Sequence, residues 1–153
     1  MPTSSNSQQL VDRRAYLLLL DDQDRLMLCG GCCSGWTVPQ LLLAPGTDFR
    51  DGAAHYLAER FRITNPRFGS VYGVLETQDL NCREHDRHTI SHAFIVRISS
   101  DESNSIQATS RTHARWGLGE LKSRYREVSP EGVVPLVSGY VEGWLPDGPI
   151  SLD

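Results

Sequence analysis

The chain has 153 residues, 39% hydrophobic and 22% charged, which is enough for one domain with a buried core and ordinary for a soluble protein. Its formal net charge of −4 and lack of a basic stripe exclude a general nucleic-acid binder, since the nearest candidate, Arg83–Arg87, carries both signs. The longest apolar run, Tyr16–Leu20, is too short to cross a bilayer, so no membrane partner is expected.

The first residues, MPTSSNSQQLVDRR, lack the charged-then-apolar layout of a secretory signal. They are expected to include a disordered tail over residues 1–12, ahead of a single domain over 13–153. Four cysteines do not make a disulfide scaffold, which leaves the cytoplasm as the expected compartment. Arg14–Asp22 and Arg25–Cys29 read as two strands joined by a polar turn at Asp22–Asp24. Gly30–Gly35 is a loop of glycines and small residues. Trp36–Pro39 and Gln40–Ala44 are short extended pieces, stopped by Pro45-Gly46.

Thr47 or Asp48 can cap the next segment, a helix predicted over Asp48–Phe61. Phe49, Ala53, Leu57 and Phe61 recur every fourth residue and form its inward stripe. Phe68–Gln78 and His88–Ser99 are expected to pair as strands, the second alternating across Ile90, His92, Phe94 and Val96. Between them lies the polar loop Asp79–His88. Ser99–Ser110 reads as a second polar loop, Thr112–Gly117 as a strand and Leu118–Tyr125 as a short helix. Ser129-Pro130-Glu131 has the cap, first-turn proline and early acid of a helix start. That last helix would turn Val133, Val137, Val141 and Trp144 inward, with Pro135 tolerated near its first turn.

The stretch Trp36–Ile63, WTVPQLLLAPGTDFRDGAAHYLAERFRI, resembles the box of the Nudix hydrolase superfamily, the MutT-like proteins. The pattern of that family is G-x5-E-x7-R-E-U-x-E-E-x-G-U, with U a bulky aliphatic, after a Trp-x-x-Pro-Gly lead-in. Trp36 and Pro39 match the lead-in, and Gly46 matches the glycine before the first glutamate. Leu57 and Ile63 match the aliphatic positions, and Glu59 matches the first glutamate of the Glu-Glu pair, all without a gap. The RWGLGEL segment also looks like a Trp-x-x-x-x-Glu-Leu segment of the family. The resemblance spans roughly Arg13 to Trp144 and implies a Nudix-type α/β/α sandwich around a mixed β-sheet.

The chemistry of the box is largely replaced. Leu41 stands at the box glycine, Thr47 at the first glutamate, His55 at the arginine, Tyr56 and Arg60 at two clustered glutamates, and Arg62 at the last glycine. In the family, carboxylates on the box helix hold divalent ions against a diphosphate, and magnesium demands several oxygen ligands in tight geometry. Positions 56, 59 and 60 share one side of a helix. Three glutamates there carry about −3, whereas Tyr56, Glu59 and Arg60 sum to about zero. The expectation is a box that has lost ordinary magnesium- or manganese-dependent pyrophosphohydrolysis and binds a nucleotide or nucleotide-like metabolite.

Glu59 is then the one remaining metal candidate, Arg60 a guanidinium that can grip phosphate, and Trp36 and Leu41 candidate lining residues of the ligand site. A hydrolase with ligands outside the box would draw on Asp79, Glu84, His85 and Asp86, of which Glu84 is also a ligand-binding candidate. A recruited lyase or isomerase would use Tyr56, His55 and Glu59 for acid–base work. The Leu41–Leu43 run reads as buried strand for at least two of its residues, and an exposed remainder would make an apolar mouth or a homodimer surface. Cys29, Cys32 and Cys33 with Cys82 and His85 have zinc-like spacing and could equally form a reactive thiol or disulfide switch, but structural or incidental cysteines account for them as well, and the alternating position of His92 suits a packed core histidine.

Overall fold

The structure, a computed structural model, describes residues 9–30, 35–79, 86–109 and 111–152. Strand β1 (Gln9–Leu20) carries the four-leucine run, and the alternation of a strand sends its side chains to opposite faces. Ala15, Leu17 and Leu19 enter one apolar cluster, while Leu18 and Leu20 enter another. A strand apolar on both sides is a central strand of a sheet covered twice. Accordingly β1 pairs parallel with β6 (Asp86–Arg97) along its whole length, from Gln9↔Asp86 to Leu20↔Arg97. Gln9–Asp12, assigned to a tail from the sequence, are part of this ladder, because backbone pairing with β6 does not require apolar side chains; residues 1–8 lie outside the described residues.

The other edge of β1 is shared. Strand β2 (Leu26–Gly30) joins at Leu20↔Leu26, beyond the polar turn, and β4 (Gln40–Leu42) pairs over Arg14–Tyr16. β3 (Trp36–Thr37) and β7 (His113–Trp116) both pair with β2. β5 (Arg67–Asp79) runs antiparallel to β6, and the edge strand β8 (Gly148–Ser151), absent from the sequence expectations, lies parallel to β5. The result is a mixed eight-stranded sheet among the described residues.

Helix α1 (Phe49–Phe61) and helix α2 (Ser100–Thr109) cover one face through Ala53, Leu57 and Ile106. Helix α3 (Leu118–Ser123) and helix α4 (Val133–Glu142) cover the other through Leu121, Val133, Val134, Leu136 and Val137. This is the α/β/α sandwich around a mixed sheet. Among the described residues, no helix is long and apolar enough to cross a membrane.

Two expectations are corrected. Ser99–Ser110, read as a polar loop, contains α2. Its start is a reciprocal capping box: Ser99 Oγ accepts from Glu102 N at 3.1 Å, and Glu102 Oε1 accepts from Ser99 N at 2.8 Å. Buried Ser103 and Ile106 then anchor it. The last helix begins at Val133 rather than at Pro130, and Gly143, at φ 78°, ends it in a left-handed cap. Trp144 falls beyond that cap and is 62% exposed, while Leu136 takes an inward place beside Val133 and Val137.

The turn between β1 and β2 is held by Asp21, which is almost wholly buried. Its carboxylate accepts from Gln23 N (2.9 Å), Arg25 N (3.0 Å), Arg25 Nε (2.9 Å) and Ser103 Oγ (3.2 Å), tying the turn to α2. Burial alone would raise its pKa, but the backbone donors and Arg25 together hold it below the ordinary value.

Candidate functional site

Helix α1 is positioned by its two ends. Asp48 caps it, accepting from Arg50 N and Asp51 N at 3.1 Å each. Arg62 closes it in the left-handed region at φ 59°, and Ile63 N donates to Leu57 O at 3.0 Å. Gly46 also has positive φ, at 83°. The backbone is thus left-handed at Gly46 and at Arg62, whereas Leu41 lies in the extended strand β4.

Between those ends the predicted residues separate. His55 and Glu59 are 77% and 72% exposed and face each other as an i,i+4 pair, His55 Nε2 to Glu59 Oε1 at 3.8 Å. Tyr56 lies apart from this pair: its ring meets Phe61 edge-on at 6.0 Å and packs against the apolar cluster that also takes in Leu41 and Leu43. Arg60 is exposed near the end of the helix. Its charge acts on Cys29 at the end of β2, where burial pushes the thiol pKa up and the guanidinium draws it part of the way back. So α1 offers an exposed neutral-to-cationic surface where clustered glutamates would have made an anionic one.

This donor set does not fit a box-bound divalent cation. Glu59 is a single carboxylate, engaged by His55 and neighbour to Arg60, and Tyr56 is half-buried against the α1-side cluster. Among the described residues no group of three histidines, cysteines, aspartates or glutamates is placed to share a metal ion. Glu84, His85, Cys32, Cys33 and Cys82 lie outside the described residues, so the zinc-like spacing and the ligand-binding assignment of Glu84 rest on sequence. Cys29 is a half-buried free cysteine. His55 and Glu59 form an exposed pair, and Tyr56, half-buried, rests against Phe61.

Trp36 packs against Trp116 with ring centroids 5.6 Å apart, and Arg124 lies over the Trp116 ring at 4.2 Å. Trp36 O accepts from Ser129 N at 2.8 Å, so this residue joins β3 to the segment before α4. In the leucine run, Leu41 and Leu43 pack on the α1 side and Leu42 is 62% exposed, dividing the run as its alternation predicts.

Two groupings were not assembled by the sequence reading, although Asp48, Phe49, His92 and Phe94 were each named in it. One is an aromatic cluster at the start of α1, where a pocket of about 190 Å³ is lined by Asp48, Phe49, Arg50, Tyr72, His92 and Phe94. The alternation of β6 did contain its signal, in His92 and Phe94. The other is Arg14 with Gln40, a charged residue within an apolar strand, whose partner is 26 positions away and has no sequence signature.

No protein-family model matches the chain. A comparison with curated proteins also finds no match. Solved structures are similar over most of the chain. The Caenorhabditis elegans Ap4A hydrolase has a TM-score of 0.58 at 13% identity, covering 89% of this chain and 100% of its own. A mutT/nudix family protein from Listeria innocua gives 0.61 at 10% identity, over 86% and 92% of the two chains. A MutT protein from Bacillus halodurans gives 0.51 at 10% identity, over 92% and 86%. These likenesses, with the sheet order and the capped box helix, establish that this chain has the Nudix fold.

Proposed function

We propose that this chain binds a nucleotide or nucleotide-like metabolite beside α1 and does not carry out magnesium- or manganese-dependent pyrophosphate hydrolysis through its box. The observation that carries the reading is the division of the box side chains. Glu59 is exposed and paired with His55, Tyr56 is packed inward, and Arg60 presents a guanidinium at the position of a metal-holding glutamate. A guanidinium binds phosphate oxygens bidentately, but it does not activate water as a metal does. Arg60 is the ligand's phosphate anchor in this reading, and the compartment is the cytoplasm.

A thermal-shift screen against nucleotides and nucleotide sugars, with and without magnesium or manganese, tests it. Metal-independent stabilisation by a phosphate-bearing ligand is the expected result. Stabilisation or turnover that requires the metal would instead favour a hydrolase whose ligands lie outside the box.

A further inference from the structure

Arg14 is a half-buried cation on the face of the sheet away from α1. It alternates with Ala15 and Leu17, which pack toward α1, and so points with Tyr16 and Leu18 to the side covered by α3 and α4. Its Nη1 donates to Gln40 Oε1. Gln40 Nε2 donates to Thr37 Oγ1 at 3.4 Å, and Thr37 Oγ1 donates to Ser129 O at 3.0 Å. This relay across β4 and β3 holds the guanidinium in place. It leaves Arg14 Nε buried without a partner, and among the described residues no ion pair reaches Arg14.

Arg14 is half-buried and has no ion pair among the described residues, and an anion docking on the open part of its guanidinium would supply the counter-charge. Directly across the ladder, in register with Arg14 and on the same side, stands Leu42, 62% exposed. We propose that Arg14 anchors an organic oxyanion, a phosphate or carboxylate joined to an apolar group, with Leu42 against the apolar part. The site is independent of the box reading, because Arg60 belongs to a helix on the opposite face.

Calorimetric titration of the full chain with phenyl phosphate, inorganic phosphate and benzoate tests the assignment. The wild type should bind phenyl phosphate or benzoate, and the stronger of the two identifies the acidic group. Arg14→Met should weaken that ligand by about tenfold or more, as expected for losing a charge-assisted fork. It should leave the unliganded melting temperature little changed, since Arg14 is half-buried and has no ion pair among the described residues. Arg14→Lys keeps the charge without the fork and should fall between, which decides the matter if Arg14→Met does not fold. Leu42→Ser should reduce the preference for phenyl phosphate over inorganic phosphate. Equal binding by wild type and both Arg14 variants, or binding of none of the three probes by the wild type, overturns the proposal. A loss in Arg60→Ala with none in the Arg14 variants overturns it while leaving the box reading intact.

Discussion

Phe49 and His92 stack face to face, with ring centroids 3.7 Å apart and planes 11° from parallel. Arg13 lies over the Phe49 ring at 4.4 Å, so a cation, a phenyl ring and an imidazole join β1, α1 and β6 at the start of the box helix. Tyr72 of β5 completes the contact at 5.3 Å from His92.

Burial is the main cause that lowers the His92 pKa from 6.5, Arg13 adds to it, and Asp48 opposes it. A histidine whose folded pKa is depressed contributes stability that is fully present above its unfolded pKa. That contribution is lost as the pH falls below it toward the folded value. Urea-unfolding midpoints should therefore drop as the pH falls below the ordinary histidine value of 6.5, and His92→Phe should flatten this part of the profile. An unchanged slope in the variant would assign the acid sensitivity to other groups.

Arg62 occupies a left-handed helix cap at φ 59°, a conformation that costs an L-residue about 1 kcal/mol and glycine almost nothing. Arg62→Gly should raise stability by about 0.5–1 kcal/mol in chemical denaturation. Loss of stability would mean that the arginine side chain contributes more than its backbone strain costs.

The α2 capping box gives a converse expectation. Ser99→Ala should cost about 1 kcal/mol, with amide exchange rising first in residues 100–103. Protection unchanged there would show that Ser103 and Ile106 packing alone holds the helix.

Most of the fold was legible because its periodic signals were strong. The leucine run, the four-residue spacing of α1 and the box register placed β1, α1 and the β5–β6 pair. The failures came where local polarity hid tertiary anchoring. Ser99–Ser110 has few apolar residues, and only its Ser-x-x-Glu cap marked it as helical. Trp144 continued an apolar spacing that Gly143 had already ended. In the site, residue identities named the candidates on α1, but not that Tyr56 is half-buried against Phe61 while His55 and Glu59 stay exposed. The Tyr56 ring meets Phe61 edge-on, a contact set by the turn of the helix. Arg14 and Gln40 meet only through the pairing of β1 with β4.

Restoring carboxylates tests whether the retained backbone still has the geometry of the box. Tyr56→Glu with Arg60→Glu should raise manganese affinity measured by calorimetry, since residues 56, 59 and 60 are i, i+3 and i+4 neighbours on α1 and residue 56 is only half-buried. No gain would locate the defect in the turn around Leu41 instead.

The most direct measurement compares Arg60→Ala with the wild type in calorimetric titrations of a nucleoside diphosphate and its parent nucleoside, both without divalent metal. Arg60 as the phosphate anchor predicts a loss of about tenfold or more for the diphosphate, the size of one charge-assisted partner, and a much smaller change for the nucleoside. Equal effects on the two ligands, or no effect on either, would contradict the account and leave Arg60 a residue of the solvated helix face.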